Sequence, residues 1–332
     1  MASDVQVTHS VVSSECIKRW LAANYDLGSI YLCRLISDGG SDTYEVSAET
    51  GHFVARLSPA DKTIERQLRY EFALLDHLAS RGVRVCRPIS SLNGKRAVSL
   101  LAPEGSRSLA LFPWAPGSQI ELIPSNWRAL GHAPASMHCA SLDFVYDEES
   151  PDHDLDCLID RPLAAIGRWV GSLKDQFDSI GCWVKSEIGA RDLVWGACHG
   201  DAWANLSVDD EGNGTLFDFE HCGPGWLAYD IAVVKWGLRY DFAGFNAELW
   251  SAFLSGYSCV RELTDHELES IPVFVVARSI WKIGQLIANA DRWGHRALTP
   301  QYFSRALRSI TDAAKEAGYA EPGSKTLGDS ST

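Results

Sequence analysis

The sequence lacks internal repeats, low-complexity tracts and any basic start followed by an apolar run. The first two gaps exclude a fibrous or disordered chain; the third predicts a chain without a secretory leader. Long hydrophobic runs are missing too. The strongest, 271–277, is interrupted by Arg278 and Lys282 and is too short to cross a bilayer. A cytoplasmic protein with no membrane partner is the expectation. No Cys-x-x-Cys pair occurs, and nine cysteines at irregular spacing predict buried free thiols in a reducing compartment. Cys198-His199 and His221-Cys222 do not have zinc-ligand spacing. A Gly-x-Ser-x-Gly elbow is also missing, which disfavours a serine hydrolase.

What is present is 332 residues, 46% of them apolar, enough for one large domain or two lobes with separate cores. Charge is spread unevenly. Residues 1–140 hold 13 acids and 14 bases, whereas 141–332 hold 30 acids and 16 bases. An acidic second half repels nucleic acid and anionic membranes and favours a cationic substrate, although solvation alone also produces such a bias.

Periodicity changes character along the chain. Short β-rich runs at 30–36, 43–48 and 52–57, separated by Gly-rich turns, predict an antiparallel meander. A helix is predicted over 64–80, where Leu68, Phe72, Leu75 and Leu78 recur at spacings of three and four and Gly82 follows as a cap. Strands follow near 97–101 and 108–112. Pro113-Trp114-Ala115-Pro116-Gly117 cannot continue either element and reads as a hinge. The rest reads as helices over 124–140, 160–178, 228–239, 244–257, 265–290 and 300–317. One hairpin, 206–208 with 215–219, interrupts them. The acidic stretch 147–156 reads as an exposed loop and 323–332 as a flexible tail.

The chemistry-bearing residues flank that hairpin: His199-Gly200-Asp201-Ala202-Trp203-Ala204-Asn205 before it and Asp218-Phe219-Glu220 after it. Phosphoryl transfer needs an aligned nucleophile and neutralised phosphate charge. Asp201 can accept a hydroxyl proton, and Asn205 with Asp218 can offer hard oxygen ligands to magnesium.

In this order the residues resemble the aminoglycoside phosphotransferase superfamily, which includes choline kinases and type II homoserine kinases. The segment Gly223-Pro224-Gly225-Trp226-Leu227-Ala228-Tyr229-Asp230 resembles the one that follows in that family. The resemblance implies an α+β, bilobal, protein-kinase-like fold: a β-rich N-lobe with one helix, and a mainly helical C-lobe containing a small catalytic hairpin. It implies a nucleotide-binding lobe at 1–113, a hinge at 114–118 and a catalytic and substrate lobe at 119–322. Asp201 is then the catalytic base, with ATP or GTP and Mg2+ as cofactors and Asn205 and Asp218 as metal ligands. Gly39, Gly40 and Ser41 would cover the phosphates. Arg56 takes the place of the family's basic residue on the third strand, with Glu71 as its anionic partner and Glu65 as the rival. His199 and Asp230 would brace the loop.

One departure stands out. The family places four residues between the catalytic Asp and the Asn, and here only Ala202, Trp203 and Ala204 intervene. That shortening supports the alternative of a nucleotide-binding pseudokinase with a regulatory role. A protein kinase is disfavoured because no Ala-Pro-Glu follows Asp218. For the acceptor, Trp203, Trp226, Trp281 and Trp293 suggest an aromatic cage for a cationic amino alcohol, amino acid or aminoglycoside. The small-molecule hydroxyl acceptor itself, and the oligomeric state, are not specified.

Overall fold

In the computed structural model, residues 6–61, 63–150, 152–241 and 244–321 are described. Pro151 in the acidic stretch and the tail read over 323–332 lie outside them.

The chain opens with helix α1 (Ser14–Asn24), capped by the Ser13 hydroxyl accepting from the Cys16 N–H. Then come β1 (Ile30–Asp38), β2 (Asp42–Ala48), β3 (Gly51–Leu57), helix α2 (Ile64–Ser80), β4 (Ala97–Ala102) and β5 (Gly105–Pro113). The strands form one antiparallel sheet in the order β1-β2-β3-β5-β4. Alternation assigns its two faces. Tyr44, Val46, Phe53, Ala55, Leu57, Leu109 and Leu111 pack with Ile17 and Leu21 of α1. Residues of opposite parity, Val54, Arg56 and Phe112, face the other way into a cleft. α2 covers that side and ends in a Schellman turn: Gly82 has φ +80°, and the Val83 N–H donates to the Leu78 carbonyl at 3.0 Å.

β6 (Ser118–Gln119) begins the second half. Helix α3 (Pro124–Ala140) follows, then a π-turn at Asp156–Asp160 runs into α4 (Arg161–Trp169), and α5 is Lys174–Gly189. One continuous helix is predicted over 160–178, and the structure corrects this. Val170 leaves helical geometry (φ −136°, ψ 65°), and a 3-10 turn at Gly171–Leu173 sends α5 back along α4, where Gly181 packs against Leu163.

β7 (Trp195–Cys198) leads into β8 (Leu206–Val208) and β9 (Gly214–Leu216), which pair with β6 in the order β6-β8-β9. β10 (Gly223–Trp226) then pairs antiparallel with β7. The chain finishes with α6 (Leu227–Tyr240), α7 (Ala247–Ser258), α8 (Asp265–Ala288), α9 (Ala290–Trp293) and α10 (Pro300–Glu316). α8 starts at a full capping box between Thr264 and Glu267. By length and composition it could cross a bilayer, contrary to the sequence expectation, but 61% of its apolar window is buried inside the protein.

Thus a sheet-rich N-terminal region precedes a helical C-terminal region. The sequence reading anticipated one helix beside the sheet; α1 is a second.

Candidate active site

The loop after β7 is built around a buried carboxylate. Asp230, in the first turn of α6, accepts from the His199 N–H at 2.6 Å and the Gly200 N–H at 2.8 Å. His138 Nε2 lies 3.1 Å from the same carboxylate, and its Nδ1 reaches the Tyr257 hydroxyl at 2.8 Å. Burial pushes Asp230 up, but His138 and His199 outweigh it and hold the carboxyl below its ordinary range. His199 is set by its neighbours: Nδ1 accepts from the Asp201 N–H, which leaves Nε2 to donate to the Phe217 carbonyl at 3.0 Å. Gly200 has φ +76°, and a Cβ there would lie 2.2 Å from the His221 carbonyl, so no other residue fits.

This brace presents Asp201, whose side chain keeps 30% exposure. Its Oδ1 accepts from Nη2 of Arg278, which also donates from Nη1 to the Gly200 carbonyl at 2.9 Å and the Tyr229 hydroxyl at 3.1 Å. Burial raises the Asp201 pKa, yet Arg278, His221, Lys282 and His199 together bring it below the ordinary carboxylate value. Sequence reasoning missed Arg278, which appeared there only as an interruption of an apolar run. The signal was available, because a buried guanidinium on an apolar helix needs an acceptor.

The shortened step to Asn205 is closed by Ala204, which adopts φ +61°. Asn205 then donates from Nδ2 to the Asp201 carbonyl at 2.8 Å, and its own carbonyl accepts from the Phe217 N–H at 3.1 Å. The hairpin therefore brings its two ends together. β9 stops at Leu216, shorter than the predicted 215–219, because Asp218 turns into the left-handed region (φ +60°, ψ 64°) and Phe219–His221 form a 3-10 turn.

Arg56 and Glu71 meet. Arg56 Nη2 lies 2.5 Å from Glu71 Oε2, and Nη1 lies 3.3 Å from Asp218 Oδ1. Burial works against the Arg56 charge, but Glu71, Asp218 and Glu220 raise its pKa above the ordinary value. Glu65, the rival, is exposed. Arg56 Nε and Glu71 Oε1 are buried without a hydrogen-bond partner among the described residues, on the wall of a cavity of about 570 Å³. Val54, Phe112, Trp114, Phe217 and Asp218 complete its main lining.

Gly39, Gly40 and Ser41 do not line that cavity. Their turn is fastened to the other half of the molecule. The Gly40 carbonyl accepts from Arg292 Nη1 at 2.5 Å, and the Gly39 carbonyl accepts from Trp293 Nε1 at 3.3 Å. The Ser41 hydroxyl donates to Glu220 at 2.8 Å. The turn therefore lies over the Asp218-Phe219-Glu220 segment, and Asp42 beneath it is buried between Arg107 and Arg292.

The aromatic cage is not formed. Trp281 is covered by Arg278, whose Cζ stands 4.2 Å from the ring centroid, and Trp226 packs edge-on to Trp195 at 4.9 Å. Trp293 is engaged by the glycine turn, and Trp203 donates to Asp241 at 2.6 Å. The paired cysteines are core residues: burial pushes the Cys198 and Cys222 thiols well above their usual pKa. None of the nine cysteines is bonded to another, but Cys139, Cys182 and Cys259 are exposed rather than buried.

Among the described residues, no three histidine, cysteine or carboxylate side chains converge to hold a metal by themselves. Asp218, Glu220 and the Asn205 amide offer the hard oxygen donors that magnesium takes when substrate phosphates complete its shell, so the residues fit that ion.

A family model described as "Phosphotransferase enzyme family" matches residues 33–263, more than half the chain. The chain belongs to this family. The phosphotransferase is 31% identical over 319 residues to an uncharacterized protein of Deinococcus radiodurans, covering 92% of this chain and 91% of the relative. It is 28% identical over 279 residues to the homoserine kinase of Azorhizobium caulinodans, covering 79% and 81%. Its fold is that of amicoumacin kinase solved in complex with AMP-PNP, Ca2+ and Ami (TM-score 0.74, 20% identity, covering 92% of this chain and 94% of that one). The phosphotransferase is accordingly an enzyme that transfers a phosphoryl group to a hydroxyl of a small molecule, on a protein-kinase-like fold.

Proposed function

We propose that the enzyme uses nucleotide and magnesium, and that Asp201 is the base that receives the acceptor hydroxyl proton. The observation that carries this reading is the pose of Asp201: one carboxylate oxygen is held by Arg278 and the side chain keeps 30% exposure. The nucleotide occupies the 570 Å³ cavity between sheet and C-lobe, with Arg56 directed at its phosphates and fixed by Glu71. ATP and GTP both fit this description. Residues 114–118 form the hinge between lobes 1–113 and 119–322, on the cavity edge where Trp114, Ala115 and Gly117 lie.

Asp218 and Asn205 would hold the magnesium, which when bound neutralises charge on the transferred phosphate. In the step itself, the acceptor oxygen forms its bond to phosphorus as the bond to the leaving nucleotide oxygen breaks. The hydroxyl proton passes to the free oxygen of Asp201. Arg278 acts as a positioning residue, because it fixes the plane of the carboxylate and keeps it ionised. The short loop does not demand a non-catalytic role, since Ala204 accommodates it and Asn205 still returns to Asp201. A cytoplasmic setting suits nucleotide supply and nine unpaired cysteines.

The test is nucleotide consumption with magnesium over a broad panel of alcohols. Asp201→Asn should bind nucleotide normally and lose at least about 10²-fold in turnover. Asp218→Asn should weaken magnesium-dependent nucleotide binding as well. Full turnover by Asp201→Asn would remove the assigned base.

A further inference from the structure

We infer that the acceptor carries an anionic group beside its hydroxyl, and that Lys282 binds it. This rests on the kinase reading above and names the class of molecule that the same site takes.

The wall beside Asp201 is formed by one face of α8. Arg278 and Lys282 are four residues apart on that helix, so their side chains emerge about one turn, roughly 6 Å, from each other on the same face. Arg278 is committed through both Nη atoms to Asp201, Gly200 and Tyr229. Lys282 is exposed and makes no ion pair among the described residues. Its Nζ stands 5.7 Å from the centroid of Trp236, the same ring that Arg278 faces at 5.9 Å. Trp236, on the neighbouring helix α6, is fixed by its Nε1–H bond to Ser279 at 3.0 Å.

The consequence for recognition is direct. Trp236 and Trp281, the rings beside Arg278 that could receive a substrate ammonium, already face protein cations. An ammonium there would meet Arg278 and Lys282 as like charges. Asp241, the acid at the end of α6, already accepts from Trp203. An anion instead finds in Lys282 an accessible donor one helical turn from Arg278, the residue that holds Asp201. The fitting acceptor is a compact alcohol bearing a carboxylate or a phosphate a few bonds from the hydroxyl.

The test uses full-length enzyme, Mg-ATP, and alcohols matched in length but not in charge. The panel holds hydroxy acids of increasing chain length, their amides, the corresponding amino alcohols, and the corresponding phosphate monoesters. Turnover is measured for each, and binding by calorimetry with a non-hydrolysable ATP analogue. At least one anionic series should exceed its amide and amino alcohol in kcat/KM by about tenfold or more, and the carboxylate and phosphate arms identify which. A charge-assisted hydrogen bond of about 1.5–3 kcal/mol corresponds to about 10- to 140-fold in affinity. Lys282→Ala should therefore raise acceptor KM by that factor with kcat much less affected. Lys282→Glu should shift preference toward the amino alcohol. Lys282 is exposed, so both variants should fold, with Mg-ATP binding as the check.

Preference for the amide or amino alcohol, no anionic member bound or turned over by enzyme that binds Mg-ATP, or an unchanged acceptor KM in Lys282→Ala would each overturn the inference. Failure of the wild type to bind Mg-ATP would defeat the kinase reading itself, and this inference with it.

Discussion

Arg278 makes three hydrogen-bonded contacts from a position where burial of an unpaired guanidinium would cost several kcal/mol. Removing it should misplace Asp201, the proposed base, rather than delete it. Arg278→Ala is expected to lower kcat about 10²-fold, the scale associated with displacing a catalytic group by about 1 Å, while nucleotide still binds. Arg278→Lys should recover part of the loss, since an ammonium reaches one acceptor but cannot form the planar fork. An Arg278→Ala enzyme with wild-type kcat would show that Asp201 needs no such support. The sequence made Asp201, Asp218 and the Arg56–Glu71 contact legible because each belongs to a short motif or to a helix face with clear periodicity. Arg278 belongs to no local motif. Its partner is 77 residues away, and only the packing of α8 under the loop brings them together.

At the scale of elements, α8 carries both Arg278 and Lys282, so its start matters to the site. The Thr264 hydroxyl accepts from the Glu267 N–H at 3.1 Å, and the Glu267 carboxylate accepts from the Thr264 N–H at 3.0 Å. Thr264→Ala should cost about 1 kcal/mol, measured as a shift of the urea midpoint without a change in slope. A shift below a few tenths of a kcal/mol would mean the cap is replaced by other contacts. The sheet strands and α2 were legible from alternation and three-to-four spacing. The short strands β7 and β10 were not: they have four residues each, and their pairing joins Trp195 to Trp226 on either side of the Asp201 loop and the hairpin. The break after Trp169 was hidden for a related reason. Helical periodicity continues on both sides of it, and only the return of α5 onto α4 requires the turn.

For the whole molecule, stability should depend on pH through His153. Its Nε2 donates to the His221 carbonyl at 2.7 Å, while Nδ1 is buried without a partner among the described residues. Burial holds its pKa below the ordinary value, so the folded state resists the second proton. The sign follows: the unfolded chain takes that proton as pH falls below about 6.5, and the folded chain does not. Stability is therefore fully present above about pH 6.5 and declines on acidification, with a slope of up to about 1.4 kcal/mol per pH unit. His153→Gln keeps an N–H for the His221 carbonyl and should flatten this decline in urea titrations from pH 8 to 5. An equal decline in the variant would place the proton uptake elsewhere. His153 reaches the site only through the tertiary fold, since it lies within the acidic stretch read as an exposed loop yet is buried, its ring packed beneath Gly200.

Sequence alone determined the succession of sheet and helices, the two acidic motifs and the hairpin that joins them. Those features are written in local periodicity, turn residues and spacing, which depend on neighbours along the chain. Tertiary structure decided what surrounds Asp201. An apolar helix with two cations read as an interrupted core segment, and a set of tryptophans read as a cage for a cation. Folding placed Arg278 over Trp281, Lys282 over Trp236, and the guanidinium of Arg278 on Asp201. Such an arrangement depends on charges and rings from distant helices sharing a small volume, and no local pattern records it.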